Sequence, residues 1–170
     1  LILATGASAI IPPIEGGLDS HVFTLRNIGD MNRIKTFIDD VHPRKAVIVG
    51  TGFIGLEVCE NLKNLGIEVT LVERLPQVTP GLDPDMAAYV EDHLKKNGVT
   101  VYTGLSAVRI EEGKVFLENG EVIAADFVLL SVGVKPNTEL AVSMGVKLGE
   151  TRAIEVNEKM MTNLSDVYAC

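Results

Sequence analysis

The ten residues Ala46-Val-Ile-Val-Gly50-Thr-Gly52-Phe-Ile-Gly55 constrain this 170-residue chain more than any other feature. The apolar run Ala46 to Val49, with three β-branched side chains, describes a short strand buried on both faces. Three glycines follow it, and behind them Leu56, Cys59, Leu62 and Leu65 recur at helical spacing until Gly66, which is well placed as a left-handed C-terminal residue. Val69-Thr-Leu-Val72 then reads as a second strand with Glu73 at its end. Strand, glycine turn, helix, strand and terminal acid make one βαβ unit, and such a unit requires a parallel sheet.

The flanking sequence extends that sheet. Asp30 stands where a helix N-cap is expected, with Met31, Ile34, Phe37, Ile38 and Val41 at helical spacing and Pro43 ending the run. Asp83-Pro84 opens another helix, with Met86, Val90 and Leu94 stacked four apart and Gly98 closing it. Val99-Thr-Val101 is a third parallel strand. The period then drops to two over residues 107–110, 114–117 and 121–123, with turns at Glu112-Gly113 and Asn119-Gly120, which predicts a β-meander. Phe127-Val-Leu-Leu130 is the last buried strand, and it leads into Ser131-Val132-Gly133. A short helix over 137–144 and one or two strands finish the chain. The fold class is therefore α/β, a doubly wound, Rossmann-like parallel sheet with an inserted β-meander.

Each part of the glycine segment has a mechanical reason. Gly50 permits a tight strand-to-helix turn, Gly52 lets backbone approach a pyrophosphate, and Gly55 lets the helix lie close to the strand. The N–H groups of the helix N-terminus face the phosphates. Glu73, eighteen positions beyond Gly55, is placed to accept hydrogen bonds from the adenosine ribose hydroxyls. A 2′-phosphate there would meet a like charge, worth about 4 kcal/mol at ~4 Å and an effective dielectric of ~20. Solvent and the neighbouring Arg74 reduce that figure, and Arg74 offers a grip for such a phosphate. The balance favours NADH over NADPH.

Four segments now resemble one family in order and across the chain: Leu1-Ile-Leu-Ala-Thr-Gly6-Ala, Val49-Gly-Thr-Gly-Phe-Ile-Gly-Leu-Glu57, Ser131-Val-Gly-Val-Lys-Pro-Asn137 and Thr162-Asn-Leu-Ser-Asp-Val-Tyr-Ala-Cys170. The resemblance is to the pyridine nucleotide-disulfide oxidoreductases, nearest the coenzyme A-disulfide reductase, NADH oxidase and NADH peroxidase branch. It implies an NAD(H)-binding domain over residues 18–134. Residues 1–17 would be a connector from the FAD domain, and 135–170 a segment returning to it. It implies that Phe53 lies over the flavin ring and swings aside for nicotinamide. Ile54 would touch the nicotinamide, Glu57 would bind its carboxamide, and Val132 and Gly133 would pass close to the bound nucleotide. In such a parent, NADH delivers hydride to FAD, and electrons pass on to a disulfide, oxygen or peroxide; the parent is expected to be a homodimer with a further dimerisation domain. The first glycine-rich FAD motif and the redox cysteine of the family are absent from this sequence, so the segment alone is expected to be inactive. No catalytic residue is assigned within it.

The remaining features narrow the alternatives. Cys59 lies on the apolar helix face and is expected in the core, and Cys170 falls at the last position; neither belongs to a metal or disulfide pattern. His21, His42 and His93 are scattered, which suggests surface positions and no metal site. Asp39-Asp40 and Glu111-Glu112 read as solvated charge. A formal charge of −8 argues against nucleic acid, and no apolar run approaches the ~20 residues of a membrane span. A soluble cytoplasmic protein is the expectation. The chain begins without methionine, inside an apolar run, and ends just after another, as a piece of a longer protein would. Two other readings stay open: a non-catalytic dinucleotide-sensing module, and a nucleotide-methyl donor enzyme, the latter disfavoured by residues 1–6 and 131–137.

Overall fold

A strand buried on both faces needs a hydrogen-bonded neighbour on each side, and the run that begins at Lys45 has both. The computed structural model describes residues 1–170. The chain opens with β1 (Ile2–Leu3), β2 (Ala7–Ala9), β3 (Val22–Phe23), α1 (Ile28–Val41), β4 (Lys45–Val49), α2 (Phe53–Asn64), β5 (Glu68–Glu73) and α3 (Pro84–Lys96). It continues through β6 (Thr100–Thr103), β7 (Ala107–Glu111), β8 (Gly113–Leu117), β9 (Val122–Ala125), β10 (Phe127–Leu130), β11 (Val134–Pro136), α4 (Glu139–Ser143) and β12 (Tyr168–Ala169). Two compact units result, Ala9–Gly133 and a smaller one built from Leu1–Ser8 with Val134–Cys170.

In the larger unit, five parallel strands lie in the order β3-β10-β4-β5-β6. Alternation along β4 sends Ala46 and Ile48 to one face, where they join Phe23, Ile34, Cys59, Leu62 and Phe127. Helices α1 and α2 supply that layer, and Leu94 of α3 packs against it. Val47 and Val49 point the other way and meet Ile110, Val115, Leu117 and Ala125 of the antiparallel meander β7-β8-β9. The meander therefore covers the sheet face that helices cover in a symmetric doubly wound domain. Each fully buried Val, Leu or Ile here contributes roughly 1.5–3 kcal/mol, and Val47, Ile48, Val69 and Leu71 are wholly buried.

Several local expectations need correction. The N-cap of α1 is Asn27, and Asp30 is its N3 residue in a capping box. The spacing Asn-x-x-Asp satisfies two N–H groups reciprocally, which a cap at Asp30 would not do. In α3 the buried residue is Ala87, with Val90 and Leu94 partly covered, while Met86 is half exposed. A helix whose inner face runs 87, 90, 94 turns residue 86 outward by geometry. Leu65, expected on the inner face of α2, is its C-cap and is exposed, with Gly66 at φ +80° behind it. His21 is buried, not superficial, because it leads into β3 and its carbonyl accepts from Val128 N.

The smaller unit has its own core of Leu3, Ala141, Val146, Val167 and Ala169. Its termini are joined by parallel pairing of β1 with β12. Asn137 stitches the segment at residues 5–8: its amide donates to Thr5 O at 3.0 Å, and it accepts from Ser8 Oγ at 2.8 Å.

Candidate dinucleotide site

The sheet order places β4 at a switch point: the chain proceeds from β4 to β5 and β6 on one side, while β10 lies on the other. Ligands of open α/β sheets bind outside the carboxyl ends of strands at such a point. Three carboxyl ends meet here. Gly50 follows β4 and donates to Val72 O at 2.8 Å; Ser131 follows β10 and donates to Val49 O at 2.8 Å; Glu73 ends β5.

The three glycines differ in what demands them. Gly50 has φ +100°, and a Cβ there would lie 2.3 Å from Ser131 O. At Gly55 a Cβ would lie 2.4 Å from Gly50 O. Both are imposed by the protein's own packing. Gly52, the N-cap of α2, has φ −70° and ψ 175°, which any residue adopts, and a Cβ there would meet nothing within 4 Å. Nothing within the chain requires glycine at that position, so what it keeps clear is space beside the turn. The α2 N-terminus has no side-chain cap and no acid in its first turn. Leu56 N donates to Gly52 O at 3.1 Å, which leaves the N–H groups of Phe53, Ile54 and Gly55 outside the helical ladder. A pyrophosphate fits this donor set and this open flank.

Glu73 is buried, and its carboxylate is already engaged. Thr51 N and Thr51 Oγ1 both donate to Oε2 at 2.9 Å, and Leu75 N donates to Oε1 at 2.9 Å. With about two acceptor positions per carboxylate oxygen, Oε2 is filled and Oε1 retains one. In this arrangement Glu73 has room for one further donor on Oε1. Thr79 completes the cluster. It is buried, holds φ +44°, and its N–H donates to Thr51 O at 3.2 Å and to Thr51 Oγ1 at 3.3 Å. Its own hydroxyl has no hydrogen-bond partner. Sequence reasoning missed Thr79; the only signal was the Thr-Pro-Gly turn that follows β5.

The other expected residues surround the same turn. Phe53 is 75% exposed and Ile54 41%, so neither serves the core of this unit. Glu57 lies exposed early in α2, and Arg74 is exposed directly after Glu73. Val132 and Gly133 follow β10 beside the glycine turn, where Val132 N would be 3.2 Å from a Cβ on Gly50; Gly133 has φ +106°. Thus Gly50, Thr51, Gly52, Gly55, Glu73 and Val132 are brought to one edge of the sheet. Cys59 is buried on α2 as expected, and burial pushes its thiol up to about 11, which removes it as a nucleophile. Cys170 is exposed in the smaller unit, in a recess also lined by Thr5, Gly6 and Asn137. No group of three His, Cys, Asp or Glu is arranged to hold a metal ion, and no helix is long and apolar enough to cross a membrane.

Comparison with known proteins matches residues 1–170 to the pyridine nucleotide-disulphide oxidoreductases. The chain belongs to that family. It is 43% identical to an NADH oxidase of Methanocaldococcus jannaschii and 35% identical to a coenzyme A disulfide reductase of Staphylococcus haemolyticus, in each case over 99% of this chain and 38% of the relative. Among solved structures it resembles an NAD-dependent persulfide reductase from A. fulgidus, with 42% identity and a TM-score of 0.95 over 99% of this chain and 32% of that one. The chain therefore spans well under half the length of the relatives it matches. Both the expected family and the expected Rossmann-like fold class are borne out.

Proposed function

We infer that residues 9–133 bind NAD(H) and present its nicotinamide to a flavin in a longer oxidoreductase. The observation that carries this reading is Gly52, a glycine that no contact or torsion within the protein requires, set at the uncapped N-terminus of α2. The N–H groups of Phe53, Ile54 and Gly55 would hold the pyrophosphate without a lysine or arginine, through hydrogen bonds and the positive end of the helix. Glu73 would take one adenosine ribose hydroxyl on Oε1, and Arg74 would lie beside it in solvent. Phe53 and Ile54 would offer an apolar surface to the nicotinamide, Glu57 a carboxylate to its carboxamide, and Val132 and Gly133 a backbone flank.

Bound at this site, NADH would supply the hydride for a flavin held elsewhere in the longer protein. The chain's share of the work is orientation and exclusion of water, which supplies much of the rate enhancement when reactants are held in register. Onward electrons would pass to a disulfide, oxygen or peroxide; that relatives are named an NADH oxidase, a coenzyme A disulfide reductase and a persulfide reductase supports this reading, and the acceptor group would lie outside this chain. A homodimer is the assembly we propose for the longer protein.

The test is a parallel fluorescence titration of the full-length protein with NADH and NADPH. Saturable NADH binding tighter than NADPH binding, with the difference lost in Glu73→Ala, supports the assignment. Equal binding of both nucleotides moves selectivity to Arg74, and binding of neither refutes the site.

A further inference from the structure

We propose that Thr51 is a positioning residue that sets nucleotide selectivity by fixing Glu73 with one carboxylate oxygen filled and the other left open. The inference rests on the dinucleotide reading of the glycine turn given above. Thr51 is wholly buried between the turn and the end of β5. Its hydroxyl carries a single hydrogen, and the direction of that hydrogen follows from its neighbours. Thr79 N–H donates to Oγ1 at 3.3 Å, so Oγ1 accepts on that side, and its hydrogen goes to Glu73 Oε2 at 2.9 Å.

Together with Thr51 N–H, the hydroxyl saturates Oε2, while Leu75 N–H occupies half of Oε1. What remains on Oε1 is one acceptor position. A ribose hydroxyl brings the hydrogen that this position needs. A phosphate monoester in the same place brings negative charge and, in its dianionic form, no hydrogen. Selectivity then depends on the carboxylate staying where the three donors put it. Glutamate has three side-chain torsions, and removing one of the two Oε2 donors frees the group to rotate, so its discrimination between the nucleotides weakens.

The residue between the first two glycines therefore acts through Glu73 and is distinct in role from the glycines beside it. Thr51→Val keeps the β-branched shape and the backbone N–H and removes only the hydroxyl; Thr51→Ser restores it. In the full-length protein, we expect Thr51→Val to lower the ratio of NADPH to NADH dissociation constants about tenfold, the lower end of what one hydrogen bond to a charged group contributes. Hydrogen exchange across residues 74–79, measured without nucleotide, should quicken about tenfold. Thr51→Ser should recover both values.

A ratio within twofold of wild type in Thr51→Val, with both nucleotides weakened in parallel or neither changed, overturns the proposal and leaves the dinucleotide site standing. A Thr51→Ser protein that behaves as Thr51→Val also overturns it, because the hydroxyl would then not be the cause. If the wild-type protein binds neither nucleotide, the site assignment fails and the selectivity claim falls with it; the exchange data then show separately whether Thr51 holds the β5 end in place.

Discussion

Helices α1 and α2 begin in opposite ways, although both lie on the same face of the sheet. At the start of α1, Asn27 Oδ1 accepts from Asp30 N at 3.0 Å, and Asp30 Oδ2 accepts from Asn27 N at 3.2 Å and from Arg26 N at 2.9 Å. Arg33 pairs with the other oxygen of Asp30 at 2.7 Å. The helix satisfies its own first N–H groups and places an acid at the positive end of its dipole. At α2 none of this exists: the cap is Gly52, without a side chain, and the first turn holds no acid. A helix that serves only the fold is free to cap itself. The bare start of α2, with open space beside Gly52, is the contrast on which the proposed pyrophosphate position rests.

That contrast is open to attack at several strengths. The largest expected effect is structural. Gly50→Ala places a Cβ against Ser131 O at φ +100° and should cost about 4 kcal/mol of unfolding free energy, from backbone strain and overpacking together; a denaturant midpoint near wild type would show that the turn relaxes easily. Next comes the cap of α1. Asn27→Ala should cost about 1 kcal/mol without altering NADH affinity, and a nucleotide-binding defect in this variant would dissolve the division between the two helix starts.

A smaller effect concerns acid. Burial pushes the Asp30 carboxyl up, but the Arg33 hydrogen bond, the Arg26 and Asn27 N–H groups and the Arg33 charge together hold it below its usual value. A folded-state value below the unfolded one of about 3.9 means that the unfolded chain binds more protons in that range. The contribution of Asp30 is then complete above the unfolded value and is lost as pH falls through the folded one. Asp30→Asn should flatten that part of the acid unfolding curve, and an unchanged curve would count against the capping box. The smallest change is expected at Lys35, whose exposed pair with Asp39 at 3.0 Å should be worth about 0.5 kcal/mol or less on Lys35→Ala.

Much of the architecture was legible from periodicity. The runs at 46–49, 69–72 and 127–130 are continuous and apolar because both faces of the sheet are covered, and the meander announced itself by a period of two and by Gly113 and Gly120, both with positive φ. Strand β3 was not legible, since two residues carry no period; it exists because β10 offers it an open edge. The cap of α1 was misplaced by three residues because Asn27 and Asp30 are both good caps, and only the reciprocal bonds decide between them. Met86 and Ala87 differ by one helical step, and hydrophobicity alone favoured the wrong one. At the site, spacing revealed the glycines and Glu73. It could not reveal that Thr51 and Leu75 already occupy most of the Glu73 carboxylate, because that depends on side-chain torsions and on a loop whose key residue, Thr79, takes a left-handed conformation.

The most direct test of the account is the NADH dissociation constant of Gly52→Ala in the full-length protein, measured beside its unfolding midpoint. A Cβ at this position meets no protein atom within 4 Å, so the stability cost should be no more than about 1 kcal/mol, the usual cost of alanine in place of glycine at an N-cap, while NADH binding weakens by about tenfold or more as the methyl group enters the space kept for the pyrophosphate. Unchanged NADH binding in a stably folded Gly52→Ala protein would contradict the assignment of that space, and with it the claim that the bare start of α2 is the dinucleotide site.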